Sequence, residues 1–489
     1  KPLDSHIAHV ADDAALITVV DRLAASGPAK ILLFANSRRE CDSVGAVLRG
    51  HTALRDNVFV HHSSLDGEIR LRTEREFQKK RSAVCIATST LELGIDIGDI
   101  DLVMLYGHPP SWESFLQRVG RGNRRSHKSN VACLVSPQHG SEFLGALAFE
   151  ALITQIEEAR FDPEPPKEIY GAVVQQILSV LLERSGAYCR QGDLADLFSD
   201  WSHLSSPAIE EILTALIQSD HVRAHGLQNR VGAGDGCHRL HDLRLIWGNY
   251  PSGSREVKVL HSGRELGAVP STNLLRLKPG SIVRFAGRHW EVRRVRPEAI
   301  EIVPSHQTNG LEVTYSGAKP ALNPTTIEQM LRVVETGTTG SRMAKGLRER
   351  FLRTLARHEA HLAWNRIPVS RDVQGYHYFT FAGRVTNSVI ARWAGATSFD
   401  AGDIVVRSDV RIDFSRLPTD AEQLRFVASS ALHIPEDLSL FQMMLPMRLL
   451  ERELVNGWLT TPVFGRALAR LRTAQLCPVP LDQMKDLQA

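Results

Sequence analysis

The 489 residues exceed what one hydrophobic core organises, so three or four domains are expected. Hydrophobic residues at 43% and charged residues at 23% are those of an ordinary soluble globular protein, and a net charge of +3 is too small to identify a nucleic-acid partner by itself. Cys41, Cys85, Cys133, Cys189, Cys237 and Cys477 stand too far apart for a zinc knuckle or a redox pair, which points to a reduced, cytoplasmic setting and no metal. No apolar run approaches membrane-spanning length and no signal peptide opens the chain, so no membrane partner is expected. The opening Lys1-Pro2, in place of methionine, predicts further chain upstream.

Residues 1–160 alternate short apolar runs with helical patterns, the signature of a parallel sheet wrapped by helices. Ile31–Phe34, Val58–Val60, Val84–Ala87, Leu102–Leu105 and Val131–Val135 read as buried strands, with helices over Glu40–Leu48 and Ser111–Val119. Phe161–Pro166 cannot continue a helix and marks a linker. Over 167–240, helices at Ile169–Leu182, Gln191–Phe198 and Ser206–Ser219 precede an extended His221–Ala224, a winged-helix pattern. Its third helix carries Glu210 and Glu211 and no lysine or arginine, which argues against base readout in a phosphate-lined groove. Over 241–305, Val257–Leu260, Ile282–Phe285, Trp290–Val292 and Ile300–Val303 suit a small barrel or curled sheet. The rest, 306–489, mixes helices with strands near Tyr376–Phe381 and Asp403–Arg407. The fold class is thus α/β: a parallel-sheet domain wrapped by helices, a winged helix, and a β-rich plus α/β C-terminal module, the first of which the resemblance given below implies to be RecA-like.

Three segments of the first domain carry chemistry. In Ile31–Glu40 a strand ends where Ser37 and Arg38 open a helix, an arrangement suited to a backbone phosphate. In Ala87–Gly98 a strand ends at Thr88 and Ser89, hydroxyls that can bind phosphate without adding charge. Gly94 and Asp96 follow in a loop, where Asp96 suits a sugar hydroxyl or an arginine. In Phe115–Arg125, Arg118, Arg121 and Arg124 recur every three residues around Gly120 and Gly122. A solvated basic helix is the plainer alternative, but each glycine costs a helix about 1 kcal/mol against alanine. A turn presenting guanidiniums to developing negative charge accounts for them, as arginine fingers do.

These segments resemble motifs IV, V and VI of superfamily 2 helicases, in order and separation, and Val58–Ser64 resembles the intervening motif that contacts the tracking strand. Leu91–Gly98 followed by Phe115–Arg121 is similar to the Lhr (large helicase-related) family, and Phe285–Val292 and Tyr376–Asn387 resemble the domain after its winged helix. Where that family usually reads Gly-Arg-Ala-Gly-His, this chain has Gly120-Arg-Gly-Asn-Arg124. The resemblance implies an ATP-driven, Mg²⁺-dependent 3′-to-5′ translocase on single-stranded DNA that unwinds DNA or RNA–DNA hybrids, with a role in DNA repair. Arg121 and Arg124 would reach the γ-phosphate as catalytic arginines, with Gly94, Asp96, Gln117 and Arg118 at the nucleotide cleft. Ser37, Arg38, His62, Ser63, Thr88 and Ser89 would hold the strand. No Gly-Lys or Asp-Glu dipeptide occurs, so the phosphate loop and the Mg²⁺-binding box belong to a first RecA-like domain expected upstream. The chain alone is accordingly expected to be inactive. A nucleic-acid-binding protein with a relic motor domain and an RNA-directed helicase are the rival readings.

Weaker signals stay open. Cys237, His238 and His241 offer three zinc ligands without a fourth, favouring a polar loop, and His358 and His361 add nothing in sequence. Over Ser341–Ala360, Arg342, Arg350, Arg353 and Arg357 share one helical face opposite Ala344, Leu347, Phe351 and Leu355. That face is either solvated or in contact with the exiting strand. Trp247 and Trp290 either stack on bases or, as is usual for a strand tryptophan such as Trp290, pack in a core.

Overall fold

The computed structural model describes the chain apart from residues 1–2, 28, 93–96, 123–128, 163–168, 184–187, 203–204, 227–228, 243–244, 247–255, 271–272, 275–276, 308–310, 313–320, 338–339, 420, 425–439, 460 and 488–489. Its first unit runs β1 (Leu3–His9), α1 (Asp13–Ala25), β2 (Lys30–Ala35), α2 (Arg38–His51), β3 (Val58–His61), α3 (Gly67–Lys79), β4 (Ala83–Ala87), β5 (Leu102–Tyr106), α4 (Trp112–Val119), β6 (Ser129–Val135) and α5 (Glu142–Glu157). The strands form one sheet in the order β1-β6-β5-β2-β4-β3, every neighbouring pair parallel. The five apolar runs became its strands because helices cover both faces, leaving Ile31, Leu32, Leu33 and Phe34 fully buried. The helices start on side-chain caps: Ser37 Oγ accepts from Glu40 N at 3.1 Å, Ser111 Oγ from Ser114 N at 3.3 Å, and Ser141 Oγ from Leu144 N at 3.1 Å.

β1 went unread. Its polar, alternating sequence suits an edge position, where it pairs with β6. Later parts of the chain form an isolated bridge at each end of this sheet. Beside β1, Ile7 N donates to Arg342 O at 2.9 Å and Ala344 N to Ile7 O at 2.8 Å. Just beyond β3, Asp66 N donates to Leu266 O at 3.0 Å and Ala268 N to Ser64 O at 2.8 Å.

The next unit comprises α6 (Tyr170–Glu183), β7 (Cys189–Arg190), α7 (Gln191–Ser202), α8 (Ser206–Gln218), β8 (Val222–His225), β9 (Arg230–Ala233) and α9 (Asp235–Asp242), with its strands ordered β7-β9-β8. Then come β10 (Glu256–His261), β11 (Arg264–Pro270), β12 (Ile282–Phe285), β13 (Arg288–Val295), β14 (Ala299–Pro304) and β15 (Leu311–Glu312). They form a curled six-stranded sheet, β11-β10-β14-β13-β12-β15, mixed because β10 with β14 and β12 with β15 run parallel. This sheet has no core of its own. Val257, Phe285 and Val292 share one apolar cluster with Val44, Leu48 and Val60 of the first unit. Close backbone approach makes that possible: a Cβ on Gly45 in α2 would lie 2.4 Å from Val60 Cγ2 and 3.2 Å from Gly287 Cα.

The last stretch holds α10 (Pro324–Thr336), α11 (Lys345–Glu359), β16 (Arg366–Asp372), β17 (Gly375–Phe379), α12 (Arg384–Trp393), β18 (Phe399–Ala401), β19 (Val405–Ser408), α13 (Met447–Leu459), α14 (Pro462–Thr473) and β20 (Gln475–Pro478), with a sheet ordered β18-β19-β17-β16-β20. It is not one separate body. Met330 and Phe351 join the core of α5, where Phe143 and Phe351 stack at 5.1 Å, and Phe441, Leu445 and Leu449 join the core of the three-helix unit.

Candidate nucleic-acid and nucleotide interface

In a parallel sheet, ligands gather where the strands end in their C-terminal direction. Neighbouring strands β2, β4 and β3 end at Asn36-Ser37-Arg38, Thr88-Ser89-Thr90 and His62-Ser63-Ser64. Ser37, Ser89 and Ser63 are exposed, so one uncharged hydroxyl stands at each of three adjacent strand ends, with strands about 4.8 Å apart. Arg38 reaches across them, Nη1 donating to Ser64 Oγ at 2.7 Å. Thr88 is buried at 8% exposure, its N–H directed to His61 O at 3.3 Å. His61 lies below, with Nδ1 2.8 Å from Thr90 Oγ1 and Nε2 2.8 Å from Glu74 Oε1, and burial pulls its pKa down against the pull of Glu74.

The turn after α4 supplies the guanidiniums. The helix ends at Val119 with Gly120 as C-cap, and Arg121 N and Gly122 N donate to Arg118 O (3.1 Å) and Val119 O (3.2 Å). The glycines therefore do mark a turn. Gly122 also admits β5, since a Cβ there would meet Val103 Cγ2 at 3.0 Å. Arg118 is buried: Nε donates to Glu92 Oε1 at 2.7 Å, Nη1 to Asn36 Oδ1 at 2.8 Å, and its head lies 5.4 Å from the Phe34 ring centre. Burial lowers its pKa and Glu92 opposes the shift. Arg121, 8% exposed, sends Nε and Nη2 to the Glu92 backbone carbonyl at 3.2 and 2.5 Å. Gln117 is exposed beside them.

Glu92 thus joins the segment after β4 to α4, accepting from Ser114 Oγ at 2.9 Å as well. Asn36 brings in the segment after β2: its N–H donates to Glu40 Oε2 at 2.7 Å, its Nδ2 to His108 O at 2.9 Å, and Glu40 in turn hydrogen-bonds His139. Neither Glu92 nor Asn36 was singled out in sequence. The available signal was a carboxylate inside the apolar run Leu91-Glu92-Leu93, close to an arginine-rich turn. Gly94, Asp96 and Arg124 lie outside the described residues, as does Trp247.

Several expectations change. His62 does not reach the strand-end surface: it is fully buried, Nε2 lies 3.2 Å from Asp42 Oδ1, and its ring packs on Phe285. Trp290 is core, 6% exposed, with Nε1 donating to Phe285 O at 2.8 Å. Both follow from the docking of 285–292 on α2, where Gly287 N donates to Asp42 Oδ1 at 2.8 Å and Arg49 bonds Ala286 O (3.3 Å), Gly287 O and Val58 O (2.7 Å). Burial and the nearby Arg288 bring the Arg49 guanidinium down to about 10.

The basic face expected over Ser341–Ala360 is largely neutralised. Arg350 forks onto Glu142 at 2.7 and 2.7 Å, Arg342 onto Glu157 at 2.6 and 2.5 Å, and Arg357 donates to Asp486 at 2.9 Å. Arg353 is exposed. Leu347, Phe351 and Leu355 are buried, but Ala344 is exposed because the helix begins only at Lys345. Cys237 is buried with Sγ directed to Leu178 O, His358 packs on Phe143, and the described residues contain no metal-holding cluster of histidine, cysteine and carboxylate. No described helix is long and apolar enough to cross a membrane.

Residues 14–126 match the family profile of the helicase conserved C-terminal domain. That stretch spans most of the parallel sheet and the strand ends just described, so the first unit carries the match to a helicase C-terminal domain. In sequence the chain is similar to helicases of the Lhr type. It is 34% identical over 155 residues to the ATP-dependent helicase Lhr-Core of Methanocaldococcus jannaschii, covering 31% of this chain and 18% of that protein. It is 28% identical over 313 residues to the Lhr-Core protein 2 of Thermococcus barophilus, covering 61% of this chain and 34% of that protein. The alignments thus span about a fifth and about a third of these relatives' length. In fold it resembles the Mycobacterium smegmatis helicase Lhr, solved with single-stranded DNA and AMP-PNP, at a TM-score of 0.63 and 16% identity, over 98% of this chain and 69% of that one.

Proposed function

We propose that the intact protein is an ATP-dependent 3′-to-5′ translocase on single-stranded DNA that unwinds DNA or RNA–DNA duplexes in repair. In this reading residues 1–160 are its second RecA-like domain, 167–240 a winged helix, 241–305 the β subdomain and 306–489 the helicase-associated module. The supporting observation is that exposed Ser37, Ser63 and Ser89 and the Arg118–Arg121 turn are tied together at one edge of one sheet, through Asn36 and Glu92. Uncharged hydroxyls hold phosphates weakly enough to release them. ATP and its Mg²⁺ would be gripped mainly by the first RecA-like domain, whose closure brings the γ-phosphate to Arg121 and, by resemblance, Arg124. Gly94, Asp96, Gln117 and Arg118 would line this side of the cleft. Thr88 would shape the floor under the strand, while Ser37, Arg38, Ser63 and Ser89 contact it and exposed Arg353 meets it further on.

The test is Arg121→Ala in the full-length protein. A finger that stabilises transition-state charge predicts a fall in kcat of ~10³ or more. Strand affinity should change little, and lysine should rescue poorly because a point charge lacks the planar fork. A stable Arg121→Ala protein with near-normal kcat would remove the assignment.

A further inference from the structure

The small sheet β7-β9-β8 buries one face and bares the other. Cys189, Val222 and Val231 enter the core of the three-helix unit, while Tyr188, Arg190, Arg223, His225 and Arg230 are exposed. The register sets Arg190 opposite Arg230, and Arg230 opposite His225 on its other side. Directly opposed side chains in an antiparallel sheet stand about 5 Å apart, so two guanidiniums and an imidazole form one row across three strands. Tyr188 completes the surface. Its ring centre lies 4.9 Å from that of His225, and it crosses Gly232, where a Cβ would meet Tyr188 Cδ1 at 3.1 Å.

Like charges placed opposite each other destabilise a sheet. Arg223 is compensated by Asp235 at 2.9 Å, whereas Arg190 and Arg230 have no carboxylate partner among the described residues. We propose that this face is a second site for single-stranded nucleic acid, separate from the motor edge. Arg190 and Arg230 each take a backbone phosphate, and Tyr188 with His225 offers a stacking surface to a base. An exposed aromatic pair among arginines fits a single strand, whose base faces are open, better than a duplex, whose covered base faces leave only phosphates to the arginines. The choice of nucleic acid over another polyanion rests on the helicase reading above.

Fluorescence anisotropy with oligo-dT across a salt series tests the site on this 489-residue chain. The Arg190→Ala/Arg230→Ala variant should flatten the slope of log affinity against log salt by about 1.4, two phosphates at ~0.7 each. The Arg190→Lys/Arg230→Lys variant should keep the slope. Tyr188→Leu should weaken binding about 5-fold or more without altering the slope, since stacking contributes ~1–3 kcal/mol per base. An unchanged slope in the double alanine variant would overturn the proposal. So would a loss of duplex binding matching that of oligo-dT with Tyr188→Leu silent, which would make the surface a duplex site. Arg38→Ala separates the two readings. If only Arg38→Ala weakens binding, this site falls and the motor edge stands; if only the small-sheet variants do, the motor edge falls.

Discussion

Two arginine-rich surfaces, α11 and the small sheet β7-β9-β8, use one side chain for opposite ends. On α11, Arg350 forks onto a carboxylate of α5 and Arg357 reaches Asp486, so their charges are answered within the fold and hold helices together. On the small sheet, Arg190 and Arg230 face each other across a strand pair with no such answer among the described residues. Sequence ranks the two the other way, since four arginines on a helical face are conspicuous and isolated Arg190 and Arg230 are not. What separates an arginine that holds a structure from one left for a ligand is the carboxylate a fold brings to it.

The first unit contains the sharpest case for breaking that distinction. Arg118 is held as the α11 arginines are, but in a buried setting. Glu92→Ala would remove the carboxylate hydrogen-bonded to that charge, leaving the more distant Glu40, and breaking a buried pair costs ~3–5 kcal/mol. Thermal denaturation should show a large loss, much of it recovered by Glu92→Ala/Arg118→Met; a Glu92→Ala protein that melts like wild type would mean that Asn36 alone suffices. A smaller effect is expected at Arg350→Ala. That pair is half-exposed, so stability should fall by no more than about 1 kcal/mol, and the salt slope for oligo-dT should not move. A flattened slope would make Arg350 a binding residue and erase the contrast. The smallest effect concerns pH. Arg350, aided by His9, holds the Glu142 carboxyl below its ordinary 4.5. A lowered carboxylate stabilises the fold above that value and ceases to as pH falls through the folded-state pKa. The melting difference between wild type and Arg350→Ala should therefore be full above about pH 4.5 and shrink below it. A difference that persisted in acid would assign the contribution to packing of the arginine stem.

The five buried strands were legible because a sheet covered on both faces leaves long apolar runs such as Ile31–Phe34. β1 was not, because an edge strand tolerates Asp4, Ser5 and His6. The strand-end positions of Ser37 and Ser89 could be read from the apolar runs before them, and Ser63 was named through a motif resemblance. The interior positions of His62 and Trp290 could not, because both depend on a segment more than two hundred residues away in sequence docking on α2. Glu92 escaped for a related reason: its partners Ser114 and Arg118 come from another element, and only folding brings them to its carboxylate.

The bridging of both sheet ends by later segments bears on how the protein is made. When residues 1–160 leave the ribosome, the backbone beside β1 and just past β3 still lacks its partners around 342–344 and 266–268. At ~5–20 residues per second, the last of them arrives roughly 10–40 s later. During that interval the nascent first unit carries unpaired strand edges, the feature that draws chains into edge-to-edge association. Synthesis of the segments around 266–268 and 342–344 is thus part of the first unit's own maturation, and a truncation before residue 266 would leave both bridges unmade.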